Sequence, residues 1–111
     1  MCLNFVRYFS DVQVAPSTGL SVPAYQSHIL TCKASYLGEA PDVEWIKKNG
    51  IRLENNPRFI VDVTYDPYET EVISRLTFRN ALPSDSGTYQ CRMLPSASGV
   101  REVPVQFWTG K

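Results

Sequence analysis

The residues able to do chemistry are few, and their spacing does not let them act together. One histidine, His28, is present in the whole chain. A nucleophilic triad or an imidazole metal site needs partners that the sequence does not offer, so His28 reads as a polar residue at a strand end. Three cysteines, Cys2, Cys32 and Cys91, include no C-x-x-C pair to seed a zinc site. Asp62, Asp66, Glu69 and Glu71 crowd one stretch without the regular ligand spacing of a calcium loop. No glycine-rich phosphate loop occurs. The expectation is a chain that is not an enzyme and holds neither a metal nor a cofactor.

Charge narrows the partners. Eleven Lys and Arg against eleven Asp and Glu leave a net charge of zero. A nucleic-acid binder carries a basic excess to neutralise phosphates, and a membrane-surface domain carries a polybasic patch. Neither partner is expected. No stretch approaches the roughly 20 apolar residues of a membrane span. The first ten residues lack the apolar run of a secretory signal. None of the five asparagines begins an N-glycosylation acceptor.

The elements that must position these residues are strands. At 111 residues and 12.5 kDa the chain is expected to be one domain, residues 1–111. Its 43% hydrophobic residues can fill a core, with the thin margin of a small domain. Eight prolines and six glycines leave no window for a long helix. Short runs rich in Val, Ile, Thr, Tyr and Phe lie between turn signals. Residues 3–9 and 11–15 read as an opening edge segment closed by Pro16. Residues 27–34 turn Leu30, Cys32 and Ala34 to one side. Residues 42–48 turn Val43 and Trp45 inward and Glu44, Ile46 and Lys48 outward. Asn49-Gly50 marks a tight turn before a short strand at 51–54. Residues 58–63, 72–78, 88–94 and 103–107 continue the alternation, with Pro83 to Ser86 as one turn. Eight or nine short strands make a sandwich or a barrel.

Cys32 and Cys91 lie 59 positions apart, each on the inward parity of its strand, and Trp45 follows the first by 13. Leu76-x-Phe78, Leu82 and the run Asp85-Ser86-Gly87-Thr88-Tyr89-Gln90-Cys91 complete the pattern. Together they resemble the immunoglobulin superfamily, in its intermediate or variable-like sets, from about residue 12 to residue 107. The resemblance implies an all-β, two-sheet antiparallel Greek-key sandwich with a Cys32–Cys91 disulfide through the core. It makes Trp45 the body packed on the sulfurs and Tyr89 a corner tyrosine bonded to upstream backbone. It pairs Arg58 with Asp85 and gives Gly87 a turn position suited to positive φ. The 13 positions from Trp45 to Arg58 leave room for one short extra strand, which favours the intermediate set.

In that sandwich the strands of Trp45 and Cys91 are neighbours. Glu44, Ile46, Lys48, Gln90, Arg92 and Leu94 then form one outward patch, with apolar Ile46 and Leu94 in its middle. Such a mixed face suits protein recognition. Tyr36, Tyr65, Tyr68 and Trp108 are expected in loops or past the last strand, Trp108 against an adjacent domain. Cys2 is a free thiol or a bridge to another chain. The resemblance implies an extracellular or cell-surface module that binds a protein ligand or another immunoglobulin-like domain. An intracellular spacer of the giant-muscle-protein type, and an immune domain for carbohydrate or antigen, remain as alternatives. The first would keep Cys32 and Cys91 as thiols.

Overall fold

The computed structural model describes residues 8–9, 12–53, 56–68, 70–94 and 99–109. In chain order its strands are β1 (Tyr8–Phe9), β2 (Gln13–Ala15), β3 (Leu20–Pro23), β4 (His28–Leu37) and β5 (Asp42–Lys47), then β6 (Ile51–Arg52), β7 (Phe59–Asp66), β8 (Glu71–Phe78), β9 (Gly87–Leu94) and β10 (Val100–Trp108). One sheet runs β1–β4–β8–β7, with β2 also on β4. The other runs β3–β10–β9–β5–β6 and is mixed, because β3 pairs parallel with β10. The two-sheet sandwich is the architecture that the family resemblance implies, and it decides between the sandwich and the barrel that the alternating runs left open.

Alternation drives the layers apart. In β4, Leu30, Cys32 and Ala34 are buried while their odd-numbered neighbours are wholly or partly exposed. Val72, Ser74, Leu76 and Phe78 of β8 do the same, as do Tyr89, Cys91 and Met93 of β9 and Val103, Val105 and Phe107 of β10. Phe78 centres the aromatic packing. It meets Phe59, Tyr89 and Phe107 edge-on, with ring centroids 5.4, 5.2 and 4.9 Å away. Each such pair contributes about 0.5–1.5 kcal/mol beyond the area it buries. Ser74 is the polar exception in this core. Its hydroxyl accepts a hydrogen bond from Trp45 Nε1 at 3.0 Å and donates to the Asp62 carbonyl at 2.7 Å. Burial therefore leaves no unmet group there.

Strand β3 is absent from the sequence expectation. Leu20-Ser21-Val22-Pro23 sits among Pro, Ser and Gly and reads locally as a loop; its partner is β10, some 80 residues on, matched from Leu20–Val105 to Pro23–Trp108. Gly19 permits the approach: a Cβ there would fall 2.0 Å from the Pro104 carbonyl oxygen. Strand β4 also outruns its expected end at Ala34. Its last residues pair with β1, Tyr8 opposite Leu37 and Phe9 opposite Tyr36. Tyr36 is thus on a strand rather than in a loop. Tyr65 likewise lies on β7, and Trp108 is the last residue of β10. Residues 83–85 form a single 3-10 turn where one tight turn was expected. Cys2, Glu54, Glu69 and residues 3–7 and 11 of the opening segment lie outside the described residues.

Candidate recognition face

The inward residues of β9 are fixed by a disulfide, a strand pairing and a side-chain hydrogen bond. Cys91 is joined to Cys32 of β4, which ties the sheets together through the core. Trp45, fully buried, lies opposite Cys91 on β5. The Tyr89 hydroxyl donates to the Asp85 carbonyl at 2.5 Å, the bond of a tyrosine corner. Burial, reinforced by the Asp85 charge, pushes the Tyr89 phenol well above its ordinary range. Gly87 takes φ +151°, and a Cβ there would stand 2.9 Å from Lys47 Cε. Lys47 can therefore cross β9 to reach the Ser84 carbonyl at 3.1 Å, with its ammonium 5.8 Å from the Tyr89 ring centre. Leu76 has no exposure.

Arg58 grips Asp85 with both guanidinium nitrogens, one at 2.7 Å to Oδ1 and the other on Oδ2. Oδ2 also accepts the Leu82 N–H at 2.8 Å, at the start of the 3-10 turn. Burial by itself would raise the Asp85 carboxyl. The Arg58 hydrogen bonds, the Leu82 N–H and the nearby positive charges outweigh it and hold the carboxyl below its ordinary value. The same hydrogen bonds raise Arg58. This bidentate geometry is the strong form of a charged pair.

The outward side of the same strand carries the candidate face. Register sets Arg92 opposite Glu44, Gln90 opposite Ile46 and Glu102, and Leu94 opposite Asp42. Five polar side chains link across β5, β9 and β10. Arg92 reaches Glu44 at 3.8 Å and donates twice to Gln90 Oε1, at 3.1 and 3.0 Å. Gln90 Nε2 donates to Glu102 at 2.8 Å, and Lys48 meets the Glu102 carboxylate at 3.4 Å. The Gln90 hydrogen bond, aided by Lys48, lowers the exposed Glu102 carboxyl.

The structure therefore brings the six expected residues onto one face and corrects the role of two. Ile46 and Glu44 are only 6% exposed. Ile46 faces away from the core, between Glu44 on β5 and Lys48 in the turn that follows it, and lies opposite Gln90. It cannot serve as an exposed apolar anchor. Leu94 is half-buried at the other end of the face. Glu102, absent from the expected set, joins two of its members. The inward parity of Val103 already turns Glu102 outward, but its pairing with Gln90 had to be known.

Other residues stand elsewhere. His28 bonds the Pro23 carbonyl through Nε2 at 2.9 Å and stacks on Phe107 at 5.6 Å, a packing role. On the opposite sheet Arg75 lies 3.8 Å from Asp62, and Lys33 lies 4.0 Å from Glu71.

A protein-family model described as an immunoglobulin domain matches residues 12–93. Among solved structures, a chain of the complex of Dpr2 Ig1–Ig2 with DIP-Theta Ig1–Ig3 is similar, with TM-score 0.70 and 23% identity over 91% of this chain and 51% of that one. A structure of the Down syndrome cell adhesion molecule, N-terminal eight Ig domains, gives TM-score 0.67 and 21% identity over 96% and 13% of the two chains. The ZIG-8 IG1 homodimer gives TM-score 0.62 and 19% identity over 83% and 82%. The chain thus spans about half of the first of these and a small fraction of the second. At these identities the likeness is one of fold.

Proposed function

Because the chain belongs to the immunoglobulin-domain family, a family of non-enzymatic domains, we propose that residues 1–111 form one extracellular recognition module. It binds a second immunoglobulin-like domain without covalent chemistry, as a copy of itself or as a different protein, through the outer face of β10, β9, β5 and β6. The observation that carries this reading is the linked set Glu44, Arg92, Gln90, Glu102 and Lys48. It holds long charged side chains of both signs in fixed places, which lowers the ordering cost of docking and gives a partner a defined potential to match. Half-buried Arg92 is a residue of the kind that hot spots favour, and half-buried Leu94, two positions on, adds apolar contact area. Similar chains solved in pairs, Dpr2 with DIP-Theta and the ZIG-8 homodimer, support an immunoglobulin-like partner. The Cys32–Cys91 bridge supports an oxidising compartment over a muscle-type spacer.

The test reverses the potential without breaking its internal pair. Exchanging charges as Lys48→Glu with Glu102→Lys keeps an ion pair on the face and inverts its pattern. Surface plasmon resonance against a panel of immunoglobulin ectodomains, with sedimentation for self-association, should show affinity falling about tenfold or more. The matching exchange Arg75→Asp with Asp62→Arg, on the other sheet, should leave it unchanged. The reverse outcome moves the binding surface to the other sheet.

A further inference from the structure

The turn from β7 to β8 presents a nucleophile that the recognition face does not use. Tyr68 is 95% exposed, the most exposed of the large apolar and aromatic side chains described. Its N–H donates to Asp66 Oδ1 at 2.9 Å, which sets the turn and holds a carboxylate beside it. Asp66 and Glu71 are partners across β7 and β8, so two acidic residues stand at the base of the turn. Residues 63–73 contain three carboxylates, Asp66, Glu69 and Glu71, and no Lys, Arg or His. From the neighbouring strand Lys33 approaches Glu71 at 4.0 Å.

Tyr65, Tyr89 and Tyr25 lack this combination. Tyr65, three residues earlier, donates its hydroxyl to the Pro41 carbonyl at 2.9 Å, and burial, with Asp42 and Tyr36, raises its phenol. Tyr89 is fully buried. Tyr25 is 59% exposed, but the residues on either side, Pro23-Ala24 and Gln26-Ser27, bear no carboxylate. An accessible phenol within a locally anionic turn suits an enzyme whose cleft is cationic, because such a cleft attracts acidic peptide and binds an anionic donor.

Resting on the extracellular reading above, we propose that Tyr68 is a site of tyrosine O-sulfonation, modified by a sulfotransferase of the secretory route that uses an adenosine phosphosulfate donor. The Tyr68 phenol oxygen attacks the donor's sulfur. The bond from sulfur to the bridging phosphate oxygen breaks, and the nucleoside bisphosphate leaves. The phenol proton passes to a base of the transferase, and a fixed negative charge remains on the turn.

The acceptor test uses the folded, oxidised chain, purified tyrosylprotein sulfotransferase and phosphoadenosine phosphosulfate, with peptide mapping by mass spectrometry. One sulfonate on Tyr68 is expected. Tyr68→Phe should lose all transferred label, whereas Tyr65→Phe and Tyr25→Phe should keep it. Asp66→Asn with Glu71→Gln should slow transfer several-fold. No transfer to the folded chain, label on Tyr65 or Tyr25, or an unchanged rate in the carboxamide variant would overturn the proposal. The chain secreted from cultured cells should carry the same group, resistant to phosphatase; a phosphatase-sensitive adduct on Tyr68 would also overturn it. No binding partner enters these measurements. Loss of the recognition reading and loss of the Tyr68 site are therefore separate results, whereas a chain kept in the cytosol with reduced Cys32 and Cys91 would sink the extracellular reading and modification in the cell together, the acceptor test on the purified chain still deciding Tyr68 by itself.

Discussion

Asp85 and Glu102 are carboxylates in the same domain, each hydrogen-bonded, each near a cation, and each with its carboxyl lowered. Their surroundings differ. The Asp85 side chain is 7% exposed and held by both arms of Arg58 and by a backbone N–H. Glu102 is 45% exposed and meets the end of a Lys48 side chain that is itself 61% exposed. Strand β9 separates the two regions, with Tyr89 against Asp85 on its inner side and Gln90 against Glu102 on its outer side. The same pairing chemistry is structural where water is excluded. Where water reaches it, it leaves stability almost untouched and remains available to a partner.

The largest break removes what both regions depend on. Replacing Cys32 and Cys91 with alanine frees β9 from β4 and should cost about 2–5 kcal/mol, read as a fall in the denaturation midpoint. A midpoint within error of the parent would mean the bridge restrains little. Asp85→Ala comes next. It strips Arg58 of its partner and the turn of its N–H acceptor, at about 2–3 kcal/mol after allowing for the solvent at the Arg58 end. The acid titration has a defined sign. The folded-state carboxyl of Asp85 lies below its unfolded value of about 3.9, so its contribution is complete above that pH and is lost as pH falls through the folded value. The parent should lose stability across that acid window, and Asp85→Ala should show a flatter profile there.

Smaller effects sharpen the contrast. Tyr89→Phe removes one buried hydrogen bond to the Asp85 carbonyl, worth about 0.5–1.5 kcal/mol, with the domain still folded by circular dichroism. Glu102→Gln should be smallest of all, its midpoint matching the parent at any salt concentration, while partner binding weakens and becomes less sensitive to salt. A large loss of stability in Glu102→Gln would erase the distinction between the two regions.

What the sequence disclosed follows from how far each signal reaches along the chain. The disulfide, the role of Trp45, the tyrosine corner and the Arg58–Asp85 pair were legible through the resemblance to the immunoglobulin superfamily, which residue types at set spacings carry. The six residues of the candidate face followed from strand parity together with the strand adjacency that the resemblance implies. What stayed hidden depends on partners far away in sequence. Strand β3 has no local signature, and only β10 beside it makes it a strand. Ile46 has outward parity yet is only 6% exposed. Tyr36 joins a strand because β1 extends β4 beyond its local pattern. Parity reports direction; exposure is decided by neighbours that parity does not name.

The parallel run of β3 beside β10 also bears on mechanical force. A pull applied upstream of β3 and downstream of β10 draws these two strands in opposite directions along their shared length. Their hydrogen bonds, in register from Leu20–Val105 to Pro23–Trp108, must then give way together in shear rather than one at a time. Resistance to such a load is set by the height of the opening barrier rather than by equilibrium stability. The seam that bears such a load thus lies at the edge of the same sheet that carries the proposed recognition face.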